Sequence, residues 1–161
     1  MSTGPHEITK IYLSIWGSVP FTGYGCGSNY GPYIEIQSKN GEKRNTYFHG
    51  PFSAGTTLIW DNNGENRYGG KNLGGVSGFQ VTPFYRSRSF YPRPYAPVHH
   101  YIKYRIVGGG GDDFCPKKLT IYCKDGTKYV TGYDMTDWVD SKKGGGWRKA
   151  SKNGVYGETY H

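Results

Sequence analysis

Glycine and proline interrupt nearly every stretch of this chain longer than ten residues. Each glycine costs a helix interior about 1 kcal/mol relative to alanine and each proline about 3. With 26 glycines and 9 prolines among 161 residues, a helix-rich fold is disfavoured. What lies between the breaks is short and rich in β-branched and aromatic residues, which suit a pleated, half-buried surface. The length is that of one domain and is enough to bury a proper core. Hydrophobic residues make up only 35%, yet aromatics reach 17% and charged residues only 20%. That balance is not the charge-rich, ring-poor composition of a disordered chain. No apolar run approaches 18 residues, so no transmembrane helix is expected.

Residues 8–16 are β-rich but alternate imperfectly, and 33–37 alternate cleanly; both read as strands. Asn40-Gly41 is a strong hairpin signal, with 44–48 as the returning strand. Residues 56–60, 76–82 (Phe79 and Val81 facing inward), 98–107, 118–123 and 127–131 complete the set. Asp125-Gly126 marks a second hairpin, and 134–140 a short strand or turn. The prolines at 83, 92, 94 and 97 make 83–97 an irregular excursion. Seven to nine short strands with turns every 8–15 residues mean an all-β fold, an antiparallel β-sandwich of about eight strands with long Gly/Pro-rich loops. The simplest division is one domain over 7–140 and a basic, Gly-rich C-terminal tail over 141–161.

The net charge of +8 and the isoelectric point of about 9.3 point to polyanionic partners: acidic lipid, sulfated glycan, nucleic acid, or an anionic mineral or matrix. The charge is concentrated. Between residues 84 and 105 stand seven aromatics and five cations, with no acid between Glu65 and Asp112. Tyr85, Arg86, Arg88, Phe90, Tyr91, Arg93 and Tyr95 are the candidate ligand-binding residues. Rings and cations on a projecting loop suit an anionic headgroup layer, stacked bases or sugar rings. The alternative is a loop folded back on the sandwich. A second basic cluster, Lys142, Lys143, Arg148, Lys149 and Lys152 around Trp147, reads as a solvated tail.

Asp112, Asp113, Asp137 and Asp140 offer oxygen ligands for calcium, although their spacing is not that of an EF-hand; otherwise no cofactor is implied. His99 and His100 are adjacent in a strand, so their rings point to opposite faces and do not share a metal. Cys26, Cys115 and Cys123 are an odd set: one bridge plus a free thiol, or three reduced thiols. No nucleophile elbow, metalloprotease motif or phosphate loop is present, and a catalytic role is not expected. The start of the chain lacks a basic n-region and an apolar core, so no signal peptide is expected in it. The compartment stays open, leaning toward the mature form of a secreted protein.

The order of these segments resembles a PLAT (lipoxygenase-homology) domain. The likeness is carried by residues 9–16, the glycine loop and 33–37; by Phe52-x-x-Gly55-x-Thr57-x-x-Trp60; by Leu73-Gly74 with Val76 and Phe79-x-Val81; and by Asp113-Phe114, residues 118–121, Tyr129 and Trp138-Val139. It spans about residues 9–140, and 83–105 is longer and more basic than the family's pattern. The resemblance implies an eight-stranded, C2-like sandwich used for lipid or protein docking, not catalysis. The expected function is thus a non-catalytic module that docks on an anionic surface, an acidic lipid membrane or lipid-associated partner. The alternatives are a glycan-binding lectin with Tyr85, Tyr91, Tyr95 and Trp147 as sugar platforms, and a self-assembling structural protein of an anionic matrix. Homo-oligomers and non-specific nucleic-acid binding remain compatible with it.

Overall fold

In a computed structural model, placement is described for residues 5–17, 26–62, 69–87, 98–108, 110, 113–134, 138–139 and 146–153. The described residues form eleven strands: β1 (His6–Ile15), β2 (Tyr33–Gln37), β3 (Lys43–Phe48), β4 (Thr57–Asp61), β5 (Gly69–Gly74), β6 (Gln80–Val81), β7 (Phe84–Ser87), β8 (Val98–Val107), β9 (Pro116–Cys123), β10 (Lys128–Gly132) and β11 (Arg148–Lys152). They build an antiparallel sheet in the order β4-β1-β9-β10-β11-β8-β2-β3-β5, with β6 on β1 and β7 on β8. The two ends of this path, β4 and β5, lie against each other. The sheet therefore nearly closes into a barrel or sandwich, and the all-β expectation is met.

The core is the inner face of this sheet. On β1, Ile8, Ile11, Leu13 and Ile15 are buried. Ile8 and Ile11 are three apart and would face opposite ways on a regular strand. A bulge at Thr9, where Ile8 pairs Cys123 but Lys10 pairs Tyr122, turns both inward. This is the physical reason for the imperfect alternation. Across the sheet Ile11 stands between Trp60 and Ile121, and Leu13 between Leu58 and Leu119. Burial of each such side chain contributes about 1.5–3 kcal/mol. The far half of the core comes from Ile34, Ile36, Phe48, Ile102, Tyr104 and Ile106.

Both sequence-marked hairpins form. Gly41 and Gly126 each take φ of 90° at the turns after β2 and β9, a conformation only glycine adopts without steric cost. Elsewhere the chain departs from the expectation. Residues 75–78 form a turn, so the strand expected over 76–82 shrinks to β6, although Phe79 and Val81 do point inward. The glycine-rich β5 pairs only with β3 at its described bridges, Thr46–Gly74 and Phe48–Gly69. The excursion expected over 83–97 opens with β7 in register on β8, from Phe84–Tyr101 to Ser87–Val98. Residues 148–152, expected within a basic tail, form β11 between β10 and β8. Its sequence, Arg-Lys-Ala-Ser-Lys, has no β-branched or aromatic residue. Hydrogen bonding on both edges overrides that weak local preference.

The segment 26–32 closes one end of the core. Ser28 and Phe52 exchange backbone hydrogen bonds of 3.0 and 2.9 Å. A Cβ at Gly31 would run into the Phe48 carbonyl, whereas Gly132 faces open space. Replacing Gly31 with alanine is therefore expected to cost about 2–3 kcal/mol, because backbone must move to make room. Gly132→Ala should leave stability unchanged or raise it by up to about 1 kcal/mol. Urea unfolding of the two variants checks the contrast; equal effects would show that this segment does not lie against Phe48.

Candidate functional site

Strand β8 has two faces with different chemistry. Ile102, Tyr104 and Ile106 enter the core, while Tyr101, Lys103, Arg105 and Val107 alternate outward. Register then fixes the neighbours. Lys103 stands opposite Lys149 of β11 on one side and Gln37 of β2 on the other, and Gln37 faces Lys43 of β3. Three lysines thus lie in one cross-strand row. The strands of such a row are spaced about 4.8 Å apart. The adjacent row holds Arg105, Glu35 and Asn45.

Aromatic rings lie among these cations. Phe84 and Tyr101 stack at 5.4 Å and 11°. Lys103 Nζ sits 4.7 Å from the Phe84 ring centroid, and Lys149 Nζ 4.8 Å from that of Tyr101. The Trp147 ring lies between Lys43 Nζ at 5.5 Å and Arg105 Cζ at 5.1 Å. Each such contact contributes about 0.5–1 kcal/mol at an exposed site. The stems lie along the rings and the charged heads stay at the water side. Arg105 Nε also donates to Glu35 Oε1 at 2.6 Å. Glu35 is the one carboxylate among the described outward residues of β2, β3, β8 and β11, which carry the four cations Lys43, Lys103, Arg105 and Lys149. Tyr33 and Tyr47 pair at 5.2 Å beside this face.

This face unites the two basic clusters that are separate in sequence. Lys103 and Arg105 come from the first, and Trp147 and Lys149 from the second; β11 brings them side by side. Lys43 and the Phe84–Tyr101 stack went unread in the sequence. Their signal was the alternation of β8, legible once its inward residues are known. Tyr85 stands on the opposite face of β7, 55% exposed, with Lys39 Nζ 4.3 Å from its ring and the His100 ring at 6.3 Å. Arg86 takes its place in β7, in register with His99. Arg88, Phe90, Tyr91, Arg93 and Tyr95 lie outside the described residues. So do Asp112, Asp137 and Asp140, while Asp113 is exposed. Among the described residues no group of three or more His, Cys, Asp or Glu is set to hold a metal.

Arg148, assigned to the tail by its sequence, instead enters the inner face. It pairs with Tyr104 across the strands, and its guanidinium lies 4.3 Å from the Tyr133 ring. The Tyr104 and Tyr133 hydroxyls share a 2.6 Å hydrogen bond. Arg148 Nη1 and Thr131 Oγ1 are buried without a hydrogen-bond partner among the described residues.

At the opposite end of β9, His6 Nδ1 lies 2.8 Å from Asp125 Oδ2, beside a cleft of about 290 Å³ lined by Pro5, His6, Glu7, Gln80, Lys124 and Asp125. The Thr127 amide donates to Asp125 at 3.0 Å and holds its carboxyl below the ordinary carboxylate range, with His6 adding to the effect. Cys123 is buried nearby, and burial, followed by the Asp125 charge, pushes its thiol up to about 12. Burial also raises the Tyr129 hydroxyl. A thiol held protonated in this way is a poor nucleophile at neutral pH. All three cysteines are free and buried, so an intermolecular bridge through Cys123 would require β9 to open.

Comparison with known proteins finds no matching family model, no matching curated protein and no matching solved structure.

The raised Cys123 value sets an alkaline limit. Unfolded, the thiol ionises from its ordinary value of 9.0, while folded it keeps its proton to about 12. Its contribution is therefore fully present below pH 9 and is lost as pH rises toward 12. The slope is at most about 1.4 kcal/mol per pH unit. In urea titrations under reducing conditions at pH 8, 9.5 and 10.5, stability is expected to fall more steeply for the parent than for Cys123→Ala. Parallel declines would mean that the thiol is not protected by the core.

Proposed function

We propose that the protein is a non-catalytic binding module that docks on an anionic membrane surface through the outer face of β8 and β11. One arrangement carries this reading: Lys43, Lys103 and Lys149 share a cross-strand row, with their ammonium groups set over aromatic rings. Four cations against one carboxylate leave the face with a positive field. Each lysine or arginine near an acidic leaflet contributes about 1 kcal/mol. Trp147 and Tyr47, 37% and 42% exposed, suit the headgroup level beside the lysine row. The PLAT resemblance, with its implied lipid or protein docking, supports the same reading. Burial pushes the Cys115 and Cys123 thiols up, which makes them poor nucleophiles at neutral pH and supports a non-catalytic module.

Sedimentation with phosphatidylserine vesicles tests it. Binding is expected to weaken with salt and to be absent on phosphatidylcholine vesicles. The double variant Lys103→Glu/Lys149→Glu should lose about 30-fold or more in affinity. Lys118→Glu/Lys124→Glu, which changes net charge equally at the two ends of β9, should lose much less. Equal losses would place the effect in net charge instead of this face. Salt-sensitive binding to heparin with none to acidic vesicles would replace the lipid reading by a sulfated-glycan one.

A further inference from the structure

Cys26 and Cys115 are distant in sequence and adjacent in the core. Both have zero exposed surface. The Cys115 amide donates to the Cys26 carbonyl at 3.2 Å, and the Cys26 side chain, after burial, helps push the Cys115 thiol up. Residues joined by a backbone hydrogen bond lie within the Cα separation of about 4.4–6.8 Å that a disulfide spans. Each side of the pair is held in place. The Cys115 carbonyl accepts the Trp16 amide at 2.9 Å, and the Ser28–Phe52 bridge begins two residues after Cys26. Phe114, next to Cys115 in the chain, meets Phe52 edge to face at 5.5 Å in the same core.

Cys123 stands apart. It lies at the far end of β9, and an extended strand of that length puts it roughly 25 Å from Cys115. Its partner across the sheet is Ile8. Of the three pairings open to three cysteines, only one joins neighbours.

We propose that Cys26 and Cys115 are a disulfide site, closed when the chain folds in an oxidising compartment, and that Cys123 is the remaining thiol. The bond forms by exchange with a small-molecule disulfide such as oxidised glutathione. One cysteine thiolate attacks a glutathione sulfur and releases one glutathione thiolate. The second cysteine thiolate then displaces the other glutathione from the mixed disulfide. Two protein thiols lose two protons and two electrons, and the small-molecule disulfide becomes two thiols. Exchange needs a thiolate, and burial raises the Cys115 thiol in the folded state. The bond therefore closes during folding, and the folded, reduced protein oxidises slowly. Once closed, it ties the 26–32 segment to the start of β9 across a long loop, the case in which a cross-link restricts the unfolded chain most.

The test is a peptide map of protein refolded with reduced and oxidised glutathione, denatured without reductant and alkylated. Trypsin cuts after Lys117 and Lys118, so Cys115 and Cys123 fall in different peptides. The expected result is a Cys26 peptide linked to the Cys115 peptide, with Cys123 alone alkylated. Reduction should lower the melting temperature by about 10 °C. Cys123→Ala should keep the linked peptide and the shift. Three alkylated cysteines after oxidative refolding, or a bridge that includes Cys123, would overturn the assignment. The map needs only the parent protein, so a variant that fails to fold does not affect it.

Discussion

Strand β1 is hydrogen-bonded along both edges, to β4 on one side and β9 on the other, and its first residues also pair with β6. Of the other strands, only β8 also pairs with three neighbours, β11, β2 and β7. A strand paired on both edges has no free ladder groups, and one of its faces must carry the core. Ile8, Ile11, Leu13 and Ile15 meet that demand only because the Thr9 bulge shifts the register by one residue. A slip of one more residue would send Ile11 and Leu13 outward and bring Lys10 and Tyr12 in. The placement of β9, and through it β10, follows from this register.

The second constraint is closure. Without β11, the β4-β1-β9-β10 half and the β8-β2-β3-β5 half would face each other with unpaired edges, which are costly to bury and prone to pair with other chains. β11 fills the gap with four register pairs on β8 and two on β10. Its own side chains are poor strand formers, so its position rests on backbone pairing and on Ala150, which is fully buried against the core. Arg148 enters beside it and lies on the Tyr133 ring. The same closure places Lys149 and Trp147 next to Lys103 and Arg105. Electrostatic concentration on this face is thus a consequence of how the sheet completes itself.

The turn chemistry and the strongly patterned strands were legible from residues alone. Asn40-Gly41 and Asp125-Gly126 mark real hairpins because a positive φ has few other solutions, and the clean alternation of 33–37 is β2. The losses have common physics. β5 and β11 lack strand-forming side chains and exist through pairing, which a local window does not contain. The 76–82 stretch has a strand's composition, yet Gly78 at φ 71° turns the chain there. For the candidate site, the cations of residues 84–105 and the C-terminal cluster were visible as charge. Their meeting was not, because it depends on the long-range β8–β11 register. The cysteine pairing was hidden for the same reason: spacing along the chain says nothing of the contact between 26 and 115.

Core and outer face are alternate residues of the same strands, and this couples stability to the proposed docking. Tyr104 and Lys103 are neighbours on β8; one hydrogen-bonds within the core and the other stands on the Phe84 ring. Stacking of Phe84 on Tyr101 fixes two rings before any partner arrives, and the lysine stems resting on them have already given up part of their rotamer freedom. A surface ordered in advance loses less entropy on association than one built on mobile side chains, and that difference appears directly in affinity. The Arg105–Glu35 pair works the same way, holding one guanidinium in the plane of the face while the row beside it keeps its charge toward solvent. A change in the core beneath β8 should therefore alter the outer face by tilting its rows, even where no outward residue is touched.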